Sequence, residues 1–174
     1  MSIPPVDTEY LVTFLRDLLN LPSPTGFAHQ AIEFTRAQLS AFPLRLETNR
    51  KGALIATWEG ERGDAPRGLT AHVDTLGAMV KEIKSNGRLN LTKVGGFAWN
   101  TVEGEGVTIY TSAGETRRGS LLLTKASSHV HGAAVNGLAI TRFQNRQGFG
   151  VVFLRWLHVG APRQLDRKLR RLLP

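Results

Sequence analysis

An α/β fold that passes into an all-β region is predicted by three features of the chain. Apolar residues recur every three or four positions near the start, strand-like runs follow them, and glycine-punctuated hairpins take over from Gly77. At 174 residues the chain can bury a sizeable core in one or two compact domains.

The elements follow in order. "DTEYLVTFLRDLLNLPSPTG" predicts a helix with Asp7 as its N-cap and Leu11, Phe14, Leu15, Leu18 and Leu19 on one side. Pro22, Pro24 and Gly26 end it. A second helix is expected from Phe27 to about Ser40, with Ala31, Ile32, Phe34 and Leu39 among its apolar positions. "LRLETNRKGALIATWEG" reads as two strands around a turn at 49–52, and "ERGDAPRG" as a polar loop. "GLTAHVD" reads as a short apolar strand. "AMVKEIKSNGRLNLTKVGG" is two strands around Asn86-Gly87, a strong hairpin signal, and "GVTIYTSAGETRRGSLLLT" gives two more across "SAGE". Short strands with so many glycines suit a small barrel or a sandwich. From about Gly137 the texture changes again, to an apolar patch, "GFGVVFLRWLHVG", and an expected short amphipathic helix in "APRQLDRKLRRLLP" with Leu165, Leu169, Leu172 and Leu173 on one side.

Composition narrows the class. The hydrophobic fraction of 41% and charged fraction of 21% are ordinary for a soluble globular protein. No apolar run approaches the roughly 20 residues that cross a bilayer, so no membrane partner is expected. The start "MSIPPVDTEY" is neither basic nor apolar, so a signal peptide is not expected and a cytoplasmic location is the default. With no cysteine, disulfides and thiolate metal sites are excluded. The net charge of +8 is unevenly spread: residues 1–136 hold 14 basic and 13 acidic side chains, residues 137–174 hold 8 and one. The body is nearly neutral and the end strongly basic.

His72 and Asp74 carry the most specific chemistry. On a strand, residues two apart face the same way, so both side chains would point from the C-terminal edge of a sheet, where open α/β folds place their sites. An imidazole suits zinc or cobalt, and a nearby carboxylate can fix its tautomer. Taken alone, the spacing also suits a structural pair at a strand end. His129 and His131 would share one face of a strand, a ligand-like spacing with no third ligand nearby. His29 and His158 read as surface or packing residues, and Trp99 as core, interface or groove lining.

The surroundings add weight. "LLNLPSPTGFAHQAIEF", "GLTAHVDTLGAMVKEIKSNGRLNLTKVGGFAWN" and "VEGEGVTIYTSAGETRRGSLLLTKASSHVHGAAV" together resemble the N-terminal part of family 42 of the metallopeptidases, the glutamyl and deblocking aminopeptidases, some of which build tetrahedral particles. The resemblance runs from about Glu9 to Val135 and centres on an A-H-x-D-x-x-G motif. It implies a partial zinc-peptidase-like α/β sandwich over 1–75, an inserted small β-barrel of the dimerisation type over 76–136, and a divergent basic tail over 137–174. It implies His72 as a ligand to one of two divalent metal ions, zinc or cobalt, and Asp74 as the catalytic acidic residue that orients that histidine. It gives "PSPTG" no chemistry of its own. Peptide substrates and a homo-oligomer are implied too.

A two-metal hydrolase also needs a bridging carboxylate, further ligands on each ion and a base for the attacking water. After Asp74 the acids are Glu82, Glu103, Glu105, Glu115 and Asp166, with no Glu-Glu pair. Glu103 and Glu105 fall in the segment that resembles the inserted domain. The leading expectation is therefore the front part of a dinuclear metal-dependent aminopeptidase, truncated or frame-shifted near Asn136 and inactive alone. A non-catalytic self-association module is the alternative. Binding of nucleic acid through the basic tail is the least favoured reading, since a charge run is usually a solvated face.

Overall fold

A computed structural model describes residues 5–125, 127–131, 139–142 and 150–153. The chain divides into two compact units. Among the described residues, one holds 5–21 and 29–73; the other holds 22–28 and those from Asp74 to Phe153.

The first unit begins with helix α1, Thr8–Leu19. The Asp7 carboxylate accepts from the Tyr10 backbone N–H at 2.9 Å, satisfying one of the donors that a helix start leaves unpaired. Helix α2 is His29–Leu39, starting two residues after the expected Phe27. The helices meet through Phe14 and Phe34, whose ring centroids lie 5.4 Å apart. The Tyr10 hydroxyl donates to Gln38 Oε1 at 3.2 Å. Strands β1, Arg45–Thr48, and β2, Leu54–Thr57, then pair antiparallel. Asn49 shapes their turn, its Oδ1 accepting from the backbone N–H of Lys51 and of Ala53, each at 2.9 Å. In the polar loop that follows, Arg62 pairs with Asp64 at 2.8 Å.

The expected strand at "GLTAHVD" is absent: residues 66–74 belong to no strand, and Leu69 is 98% exposed. Apolar composition alone cannot make a strand, because a strand exists only through bonds to a neighbour. The sheet of this unit consists, among the described residues, of β1 and β2.

The second unit is a closed antiparallel barrel. Its strands are β3 (Gly77–Ile83), β4 (Arg88–Val94), β5 (Gly106–Thr111), β6 (Thr116–Leu123), β7 (Ala139–Arg142) and β8 (Gly150–Phe153), in the spatial order β3-β4-β7-β6-β5-β8. Both expected hairpins form. Between β3 and β4, Gly87 takes φ +76°, and Asn86 Oδ1 accepts from the Arg88 N–H at 3.1 Å. Alternation fills the interior: Ala78 and Val80 from β3, Leu89 and Leu91 from β4, Val107 and Ile109 from β5, and Leu121 from β6 are all buried. Trp99 closes this core, buried and edge-on to Phe97 with centroids 5.2 Å apart. Of the roles open to it, core packing is the observed one.

Two differences from expectation concern the later chain. Strands β7 and β8 lie beyond residue 136, so the barrel draws on the stretch expected to be a divergent tail. Their partners are β4 and β6 for one and β3 and β5 for the other, all distant in sequence, and pairing across such separations leaves little local signal. The helix expected in "APRQLDRKLRRLLP", with His158, lies outside the described residues. His129 and His131 sit in a short helix, α3 (Ser128–His131), rather than on a strand. Residues two apart on a helix point in widely different directions, so the shared-face argument for a metal pair fails there.

Candidate functional site

Asp74 opens the second unit, and the loop Pro22–Ala28, remote in sequence, belongs to the same unit. Three observations tie the two together. Pro24 and Thr75 form a parallel bridge. The Thr75 backbone N–H donates to the Ser23 carbonyl at 2.7 Å. The Thr25 hydroxyl donates to Asp74 Oδ2 at 2.8 Å. Ser23 and Pro24 are fully buried, which fixes the loop that carries Thr25. Phe27 anchors it further, with its ring 5.2 Å from that of Tyr110 on β5.

The stretch "PSPTG", expected to have no chemistry of its own, is therefore what holds the Asp74 carboxylate. Sequence reasoning passed over Ser23 and Thr25. A serine between two prolines, with a threonine directly after the second, is a rigid stretch with polar groups to offer, but nothing local names a partner 49 positions away.

His72 is exposed. Because residues 66–74 form no strand, the period-two argument for placing His72 and Asp74 on one side does not apply to the backbone as folded. Among the described residues no group of three or more His, Cys, Asp or Glu side chains could hold a metal ion. Several acids that follow Asp74 are engaged within the barrel. Glu82 accepts from Asn90 Nδ2 at 3.3 Å, Glu103 from the Leu123 backbone N–H at 2.7 Å, and Glu115 pairs with Arg117. The described donor set does not fit a two-metal site by itself, since one imidazole and one carboxylate leave most coordination positions unfilled.

Comparison with known proteins places this geometry. The profile of the M42 glutamyl aminopeptidases matches residues 52–144, more than half of the chain, and the match includes His72, Asp74 and most of the barrel. The chain belongs to the M42 glutamyl aminopeptidase family. The match continues past Asn136, where the resemblance was expected to end. YhfE of Bacillus subtilis (strain 168), a proposed aminopeptidase, is 44% identical over 117 residues, which are 67% of this chain and 34% of that protein. The glutamyl aminopeptidase of Lactococcus lactis subsp. cremoris (strain MG1363) is 26% identical over 102 residues, 58% of this chain and 29% of that protein. The chain thus spans about a third of the length of these curated relatives.

Solved structures agree on the fold, which mixes helix and sheet. Aminopeptidase APDkam598 from Desulfurococcus kamchatkensis superposes with a TM-score of 0.71 at 21% identity, over 84% of this chain and 44% of that one. The TET aminopeptidase from Thaumarchaeota archaeon SCGC AB-539-E09 gives 0.66 at 16% identity, over 86% and 45%. PhTET1-12s, a dodecamer, gives 0.65 at 17% identity, over 92% and 54%.

Proposed function

We propose that this chain carries the His72–Asp74 end of a metal-dependent aminopeptidase site that removes N-terminal residues from peptides, and that further carboxylates must be supplied before it turns over. The observation that carries the reading is the hold on Asp74: a hydroxyl bond from Thr25 at 2.8 Å, beside the Thr75–Ser23 backbone bond, inside the A-H-x-D-x-x-G segment of the family match. A carboxylate so held keeps one orientation, which is what an acid that positions a ligating imidazole requires. Zinc or cobalt is the metal class an imidazole–carboxylate set favours. Because the described residues do not complete such a site, no catalytic step through metal is assigned to this chain alone.

In the same reading, the first unit is part of a zinc-peptidase-like α/β sandwich and the barrel is its inserted, self-associating domain. The assembly of the PhTET1-12s neighbour as a dodecamer supports a homo-oligomer for the complete form. A cytoplasmic setting fits the cysteine-free composition.

The test joins this chain in one polypeptide to the part of the Bacillus relative downstream of its matched stretch. Release of N-terminal residues from glutamyl and leucyl p-nitroanilides is then measured with added zinc or cobalt. The joined protein is expected to turn over, and His72→Ala to abolish turnover. A folded, metal-loaded joined protein without turnover refutes the reading.

A second reading is favoured by the barrel's own closed core: the barrel serves self-association and the enzyme part is vestigial. A strictly monomeric, folded chain on size-exclusion chromatography excludes it.

A further inference from the structure

The turn between β3 and β4 holds a reactive pair. Among the described residues Asn86 is the one asparagine followed by glycine, and it is exposed. Gly87 has no Cβ to crowd its backbone nitrogen, so that nitrogen can reach the Asn86 side-chain amide carbon and close a five-membered ring. The backbone around the pair is well defined. The Gly87 N–H donates to the Lys84 carbonyl at 2.9 Å, and the Lys84 N–H to the Arg88 carbonyl at 2.8 Å. Ser85 and Asn86 keep negative φ while Gly87 takes +76°, which makes 84–87 a type I turn with Gly87 as the bulge residue that follows it. In such a turn the ψ of Asn86 lies near 0°, and ring closure needs the Gly87 nitrogen about a third of a turn away, over the Asn86 Cβ. The Arg88 N–H also ties the Asn86 Oδ1, at 3.1 Å. The folded turn thus keeps the reacting atoms apart, and they meet when it opens locally.

We propose that Asn86 is a site of spontaneous covalent modification, deamidation to aspartate and isoaspartate, at a rate set by opening of this turn. The Gly87 nitrogen gives its proton to solvent and its electron pair to the Asn86 side-chain carbon. The amide C–N bond breaks, ammonia leaves with a proton from water, and a cyclic imide forms. Water then adds at one of the two ring carbonyls and opens it; nothing is oxidised or reduced. One opening gives aspartate. The other runs the main chain through the side chain of residue 86 and gives isoaspartate, one backbone atom longer. The two products fit the turn differently. Aspartate keeps an acceptor for the Arg88 N–H and gains a charge beside Lys84 and Arg88. Isoaspartate lengthens a three-residue loop and carries Gly87 and Arg88 away from the two bonds to Lys84 that close it. The next pair along the ladder is Ile83 with Leu89, and Leu89 is buried in the barrel core. The isoaspartyl form therefore loosens the barrel where β3 meets β4.

The experiment ages the purified 174-residue chain at mildly alkaline pH, folded and in concentrated urea, and follows residue 86 by peptide mapping. Mapping separates it from the chain's other Asn-Gly pair, 136–137, which lies outside the described residues. The expected result is conversion of Asn86 to both products in the folded protein, roughly tenfold more slowly than in urea. The isoaspartyl fraction, isolated by ion exchange, is expected to unfold about 4 °C or more below the parent, and Asn86→Asp within about 1 °C of it. Conversion as fast in the folded protein as in urea shows that the turn does not set the rate. Conversion more than about a hundredfold slower shows that the folded protein has no such site. Either result overturns the proposal, and so does an isoaspartyl fraction as stable as Asn86→Asp.

Discussion

The Thr25 hydroxyl donates to the Asp74 carboxylate at 2.8 Å across 49 positions of sequence. The bond joins the turn between the two helices to the segment that enters the barrel, and it gives the carboxylate a fixed direction. Thr25→Val keeps the shape and removes the donor. Both groups are exposed, so the expected loss of stability is modest, about 1 kcal/mol, with Thr25→Ser recovering most of it. Urea titration of the three proteins checks this. Equal midpoints for the valine and serine variants would show that the hydroxyl bond contributes nothing.

Gly95 sets a second test. Its φ of +95° is one that L side chains rarely adopt, and an added Cβ would lie 2.7 Å from Leu76 Cδ2. Gly95→Ala is expected to cost about 1–3 kcal/mol, mostly through the backbone, since the tip of a leucine can move aside. Adding Leu76→Ala should therefore not restore the midpoint. Full restoration would assign the cost to the contact instead.

Leu121 and Leu122 are neighbours on β6 with opposite surroundings. Leu121 is fully buried in the barrel and Leu122 is 46% exposed. Leu121→Ala should cost about 2–5 kcal/mol. Leu122→Ala should stay within about 0.5 kcal/mol of the parent. Thermal unfolding separates them, and similar losses for the two would mean that the register of β6 is wrong.

Charge makes a quieter prediction. Hydrogen bonding from Arg62, helped by its own backbone N–H, holds the Asp64 carboxyl below the usual carboxylate range. A group lowered in the folded state stabilises above its unfolded pKa, and that contribution disappears as pH falls through its folded pKa. Both side chains are largely exposed, so solvent screens the pair. Asp64→Asn should leave the midpoint of acid unfolding in place. A clear shift of that midpoint would show the loop to be more tightly held than its exposure indicates.

What the sequence made legible was local. The Asp7 cap and the leucine spacing mark α1, and Asn86-Gly87 with alternating apolar residues marks the first barrel hairpin, because each signal and its consequence lie within a few residues. What it hid was non-local. β7 and β8 read as an apolar patch and a basic tail because their partners lie far away along the chain. "GLTAHVD" looked like a strand by composition, and the neighbour it would need is absent from the described residues. The candidate site divides in the same way. His72 and Asp74 stood out through their motif, whereas Thr25 has meaning only once the loop closes on Asp74.

The claim on which the account turns is that the described residues bring too few ligands to hold a pair of divalent ions. The direct measurement is the metal content of the purified 174-residue protein after incubation with zinc or cobalt and desalting, in parent and His72→Ala forms. The account predicts well under about one retained equivalent in both. Two equivalents held by the parent and lost from His72→Ala would contradict it.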